Sequence, residues 1–131
     1  MHWIQNLDNP KAVSSIFPVL EDLSLVELHE VTVHRDGPLL RLRFDVQVIP
    51  KPLPERWPVE TNAVQITLAA WGLDALRFTG WGTSNFGLLL VESKDNVRIL
   101  SFMGETCEIE AQYTSLRVER VQGYVKADTA V

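Results

Sequence analysis

The stretch Leu25-Val26-Glu27-Leu28-His29-Glu30-Val31-Thr32-Val33-His34-Arg35-Asp36-Gly37-Pro38-Leu39-Leu40-Arg41-Leu42-Arg43-Phe44-Asp45 decides the fold. On both sides of Arg35-Asp36-Gly37-Pro38 apolar and polar residues alternate, which is the spacing of a half-buried strand. The central cluster favours a turn, because glycine tolerates positive φ, proline fixes its own φ and aspartate can bond its own backbone. A hairpin over this four-residue loop makes paired residue numbers sum to 73. That register opposes Val33 to Leu40, Val31 to Leu42 and His29 to Phe44 on an apolar face, and Glu30 to Arg43 and Thr32 to Arg41 on a polar one. Val26 and Leu28 fall out of phase, which places a bulge near His29.

Further strands follow. Val64, Ile66, Leu68 and Ala70 alternate with polar or small residues, and a loop at Gly72-Leu73-Asp74 would oppose Leu68 to Phe78 and Ala70 to Leu76. Residues 86–92 and 97–103 flank Lys94-Asp95-Asn96, and a sum of 190 pairs Leu90 with Leu100, Leu88 with Phe102 and Glu92 with Arg98. Residues 107–111 and 116–121 would pair with a sum of 227, joining Ile109 to Val118, Ala111 to Leu116 and Glu110 to Arg117. The third of these hairpins is apolar on both faces, Leu88, Leu90, Leu100 and Phe102 on one, Leu89, Val91, Val97 and Ile99 on the other, so both require cover.

Upstream, Asn9-Pro10 before Lys11-Ala12-Val13-Ser14-Ser15-Ile16-Phe17 supplies a cap, a proline at the first helical position and apolar side chains at helical spacing, with Pro18 as the stop. Residues 50–58 hold four of the seven prolines and read as a semi-rigid surface loop. The expected fold is α+β: mainly an antiparallel β-meander of about eight strands, a curled sheet or sandwich, with one short N-terminal helix. Residues 122–131 lack periodicity and are expected to fray.

The chain has 131 residues, 12 basic and 17 acidic, with net charge −5, one cysteine and 46% hydrophobic residues, the composition of a single domain spanning residues 1–131. A chain of this length buries roughly 65–70% of its unfolded surface, so its core requires no disulfide or metal. Acidity argues against nucleic acid or anionic membranes as partners, since such binding rests on clustered Lys and Arg. The first residues lack the basic start and apolar run of a secretory signal, and apolar runs such as residues 87–91 are far too short for a bilayer. With a lone cysteine, these features point to a cytoplasmic protein. Monomer and homodimer both stay open, because the doubly apolar hairpin of residues 86–103 can be covered by the fold itself or by a symmetric copy.

The acidic excess is local. Residues 1–34 carry Asp8, Glu21, Asp22, Glu27 and Glu30 against Lys11, a net charge of −4. Glu30 is matched by Arg43 in the hairpin, leaving Glu21, Asp22 and Glu27 as candidates for steering a basic partner, against the alternative of a solvated face. Trp3, Trp57, Trp71 and Trp81 read mostly as core. Trp57, in the proline-rich loop, is the candidate interface anchor, with folding back over the sheet as the alternative.

Catalytic and metal signals are sparse. His2 is terminal, His34 adjoins a turn, and His29 on the apolar face reads as a structural histidine. Glu108 and Glu110 share strand spacing without a neighbouring histidine, so no metal or cofactor is expected. Cys107 reads as a buried, inert thiol, and no G-x-S-x-G nucleophile turn is present. Gly80-Trp81-Gly82-Thr83-Ser84-Asn85 leads into no helix and lacks the lysine of a phosphate loop, so it is a turn. A non-enzymatic protein is expected, and a small-molecule-binding β-barrel is the alternative class.

Trp3-Ile4-Gln5-Asn6-Leu7, a short helix, the strand-turn-strand of residues 31–45, Asn62-Ala63-Val64-Gln65-Ile66-Thr67-Leu68 and Leu76-Arg77-Phe78-Thr79-Gly80-Trp81 together resemble family 50 of the bacterial immunity proteins over roughly residues 3–115. The order and spacing of the hairpins carry the likeness. The resemblance implies an α+β protein made beside a polymorphic toxin, which it binds and neutralises stoichiometrically. It implies no catalytic residues and does not say which surface meets the toxin.

Overall fold

In the computed structural model, which describes residues 3–17, 20 and 23–127, strands β1 (Leu23–His34) and β2 (Leu39–Val46) form the hairpin in the expected register. Val33 pairs with Leu40, Val31 with Leu42, Thr32 with Arg41 and Glu30 with Arg43. The ladder slips between Leu28 and Glu30, so His29 is the extra residue of a bulge. Leu28, not His29, therefore stands opposite Phe44, and Val26 and Leu28 turn into the core. The apolar placement of His29 is corrected: the bulge sends it toward the polar face.

Strands β3 (Ala63–Trp71), β4 (Ala75–Thr79), β5 (Phe86–Lys94), β6 (Val97–Gly104), β7 (Glu108–Tyr113) and β8 (Ser115–Tyr124) complete one eight-stranded antiparallel sheet in the order β4-β7-β6-β5-β1-β2-β3-β8. It does not close, and β4 and β8 are its edges. Helical structure among the described residues amounts to a 3-10 turn (Trp3–Asn6) and a four-residue helix α1 (Lys11–Ser14). The expected eight strands, mainly antiparallel, and the short N-terminal helix are present, but with so little helix the fold is mostly β and not α+β.

Two expected hairpins are replaced by crossovers. β3 is flanked by β2 and β8, and β4 pairs with β7, so Gly72-Leu73-Asp74 carries the chain from one half of the sheet to the other. Thr114 does the same between β7 and β8. The crossovers lie side by side: Thr114 N donates to Trp71 O at 2.9 Å and Asp74 N to Gln112 O at 2.8 Å. Alternation and a short loop look the same whether the next strand pairs with its predecessor or crosses over, so the spacing alone pointed to hairpins.

The β5–β6 hairpin forms, but its register sum is 191, pairing Leu90 with Ser101 and Val91 with Leu100. Asp95 and Asn96 both take positive φ, 53° and 64°, as in the two-residue turn whose twist matches the strands. A slip of one residue exchanges faces. Leu89, Val91, Leu100 and Phe102 therefore face the core together, while Leu88, Leu90 and Ile99 are half-buried and Val97 exposed on the outside.

One apolar cluster runs through both halves of the sheet and takes in Trp3, Leu7, Val13, Phe17 and Leu20 from the N-terminal segment. Each fully buried Leu or Phe in it contributes roughly 1.5–3 kcal/mol relative to exposure. Phe44, Phe102, Ile66, Leu40 and Leu42 fill the interior, which with the open sheet disfavours a ligand-holding barrel. The N-terminal segment also fastens to the edge strand β8. Asp8 N donates to Leu116 O at 2.8 Å, and the Asn9 carboxamide both donates to Val118 O, at 2.7 Å, and accepts from Val118 N, at 2.9 Å. Asn9 therefore serves the sheet instead of capping α1, which begins after Pro10 without a side-chain cap. β8 runs to Tyr124, beyond the last alternating apolar residue, because its ladder with β3 continues to the Ala63–Tyr124 pair.

Candidate functional site

The bulge at His29 builds a polar cluster on the outer face of β1, β2, β3 and β8. Glu27 stands opposite Asp45 across the β1–β2 ladder, and His29 reaches between them. His29 Nε2 lies 3.1 Å from Asp45 Oδ2 and 3.8 Å from Glu27 Oε1. Nε2 is buried, yet it lacks the alignment of a hydrogen bond to either carboxylate. Asp45 is 3% exposed, and neutral donors serve it: Gln65 Nε2 to Oδ1 at 3.1 Å, and the Tyr124 hydroxyl to Oδ2. Burial first, then that hydrogen bond, pushes the Tyr124 hydroxyl well above its ordinary range, so it stays a proton donor.

The cluster continues outward on both sides. Arg43 donates to Gln65 Oε1 at 3.0 Å and forks onto Glu30 Oε1 at 2.9 and 3.1 Å. These bonds from Arg43, and one from Thr32, hold the Glu30 carboxyl below its usual value. On the other side Lys126 Nζ donates to Glu27 Oε1 at 3.1 Å. The Asn62 carboxamide fixes Lys126 by bonding its backbone N–H at 2.6 Å and its carbonyl at 3.1 Å. A cleft of about 150 Å³ lined by Glu27, Asp45, Phe86, Asn62 and Lys126 opens beside the carboxylates.

Aromatic side chains flank this cluster. Trp81, 48% exposed, shares an open groove with Glu27, Leu28, His29 and Asn85. Its ring meets Phe78 edge to face, 5.9 Å between centroids. The turn that carries Trp81 is held by buried Asn85, which accepts from Gly82 N at 2.9 Å and from Thr106 Oγ1 at 2.8 Å and donates to Gly82 O. Phe86, 42% exposed, lines the cleft on the far side of Glu27.

The residues expected to form a partner site are not gathered here as a set. Glu21 and Asp22 lie outside the described residues. Glu27 is present, but its side chain is 15% exposed and tied to Lys126, not free and outward-facing. Trp57 is 7% exposed and folds over β8 against Gly123, so its place in the proline-rich loop does not expose it. Cys107 is buried, and burial raises its thiol above the usual value. Glu108 and Glu110, the carboxylates weighed and set aside as metal ligands, lie on β7, whereas the carboxylates near His29 are Glu27 and Asp45. Asp45, Gln65 and Tyr124 were missed. One signal was available: the bulge lowers the register sum by one, which puts Glu27 opposite Asp45, two acids that a ladder does not leave facing each other without donors or a cation.

Fold and site together define a small, open-sheet β-protein that presents aromatic side chains beside a half-buried acid–histidine cluster. Residues 9–124 match the model of the family Immunity protein 50, and the chain belongs to that family. No curated protein and no solved structure matches it. Among the described residues no helix is long and apolar enough to cross a membrane.

Proposed function

We propose that this chain is the immunity partner of a bacterial polymorphic toxin, and that it works in the cytoplasm of the producing cell by binding the cognate toxin domain and occupying its surface, without catalysis. Membership of the Immunity protein 50 family over residues 9–124 carries this reading. The docking face is the groove around Trp81, with Phe78 and Phe86 as flanking anchors, because exposed aromatics on ordered backbone bind at little entropic cost. Glu21 and Asp22 bias the approach of a basic partner, an effect on association rate more than on final affinity, whereas Glu27 is already paired with Lys126. The test is co-expression with the product of the adjacent toxin gene. The expected result is a complex that co-purifies and cells that survive the toxin; a toxin that neither binds this chain nor is neutralised by it overturns the reading.

A further inference from the structure

Glu27 and Asp45 are directly opposed on the outer face of the sheet, and like charges so placed destabilise a ladder unless a cation lies between them. The Lys126 ammonium answers Glu27, whereas Asp45 is served by the neutral donors Gln65 and Tyr124. His29 Nε2 is a second, separate observation. The atom is shielded from solvent and stands at ion-pair distance from both carboxylates, 3.1 Å from Asp45 and 3.8 Å from Glu27, yet has no aligned hydrogen bond to either. Imidazole nitrogen is also a common metal ligand.

We propose that Glu27, His29 and Asp45 form a Zn²⁺ site, with Nε2 and one oxygen of each carboxylate as ligands. The three ligand atoms already lie within 4.8 Å of one another. Ligand bonds of about 2.0–2.2 Å place neighbouring donors roughly 3.0–3.6 Å apart, so small side-chain movements complete the site. One imidazole and two carboxylates suit a borderline first-row cation better than Ca²⁺ or Mg²⁺, which take oxygen ligands. Gln65 and Tyr124 act as the outer donors that fix a ligating carboxylate. The adjoining cleft of about 150 Å³ gives the ion a path and leaves room for water at its open positions. Lys126 is its competitor, because the ammonium holds the Glu27 oxygen that the ion requires. The site does not depend on toxin binding.

Zn²⁺ titrated calorimetrically into the chelator-stripped full chain, with thermal melts alongside, tests this. The expected result is one ion per chain and a raised melting temperature. His29→Ala and Glu27→Gln each weaken binding by about tenfold or more, while Lys126→Met strengthens it several-fold by removing the competing ammonium. Circular dichroism confirms that each variant folds, and if His29→Ala does not, the other two decide. Neither heat nor a melting shift up to about 1 mM Zn²⁺ overturns the proposal. So does uptake that Glu27→Gln and Lys126→Met leave unchanged, since that ion sits elsewhere.

Discussion

Glu27 on β1 faces Asp45 on β2 across the sheet, two acids in a position where a ladder ordinarily places opposite charges. The pair exists because one extra residue, His29, shifts the register between an upper hairpin of matched charges and a lower one anchored by Val26 and Leu28 in the core. Packing sets that shift, and the polar face must accept the result. Gln65, Tyr124, His29 and Lys126 are the groups that accommodate it.

Asp45→Ala strands the Tyr124 hydroxyl and the Gln65 amide, and should lower stability by about 2–3 kcal/mol in urea unfolding. Tyr124→Phe made in the Asp45→Ala background should cost clearly less than in the wild type, because its partner is already gone. Additive losses would show that the bond contributes nothing.

Arg41 grips Glu119 with two bonds, Nε to Oε1 at 2.5 Å and a terminal nitrogen to Oε2 at 3.0 Å. The bonds from Arg41, then its charge, outweigh burial and hold the Glu119 carboxyl below its ordinary value of 4.5. The unfolded chain therefore takes up a proton at higher pH than the folded one does. The stabilisation is complete above that ordinary value and is lost as pH falls through the lower folded-state value. Melting curves from pH 6 down to about pH 3 should show a shallower decline for Glu119→Gln than for wild type. Parallel curves would remove Glu119 from the account.

Trp81→Ala and Trp57→Ala should separate binding from folding. Loss of exposed Trp81 should leave the melting temperature nearly unchanged and weaken toxin binding by about 2 kcal/mol or more, roughly thirtyfold in Kd. Loss of buried Trp57 should cost about 3–5 kcal/mol of stability. Surface plasmon resonance and thermal melts on both variants check this, and an unstable Trp81→Ala would reassign that ring to the core.

A methyl group on Gly123 would lie 2.3 Å from the Trp57 ring, too close for either to stay in place. Gly123→Ala should therefore destabilise by about 1–3 kcal/mol and shift the Trp57 fluorescence maximum to longer wavelength as the ring is displaced. An unshifted spectrum would mean that the strand yields instead of the ring.

The hairpin of β1 and β2 was legible because its turn residues and its alternation agree, and even the bulge at His29 showed as a phase break between Leu28 and Val31. The β5–β6 register was missed by one because Lys94-Asp95-Asn96 offers a three-residue and a two-residue turn alike, and an apolar pattern on both faces cannot choose. The crossovers after Trp71 and Tyr113 were illegible for a different reason. Which edge of β3 is free depends on β8, more than forty residues later, and no local pattern carries that information. The candidate site shares this non-local origin: Tyr124 and Lys126 meet Glu27 and Asp45 only once β8 has closed onto β3. Trp81 was visible as a turn residue, but its exposure depends on how Asn85 and Thr106 hold the loop.

The Asn9 carboxamide, bonded to both backbone groups of Val118 beside the bond from Asp8 to Leu116, blocks one margin of the sheet. At the other margin, among the described residues, no strand pairs with the outer side of β4. Fibrillar growth by strand addition requires two free margins on every copy, so each unit can pass the template on. Asp8 and Asn9 occupy the outer backbone groups of β8 at Leu116 and Val118, so the two margins of the sheet are not equivalent templates. A strand arriving at this end of β8 would meet backbone groups already engaged, and a two-residue contact near the N-terminus engages them.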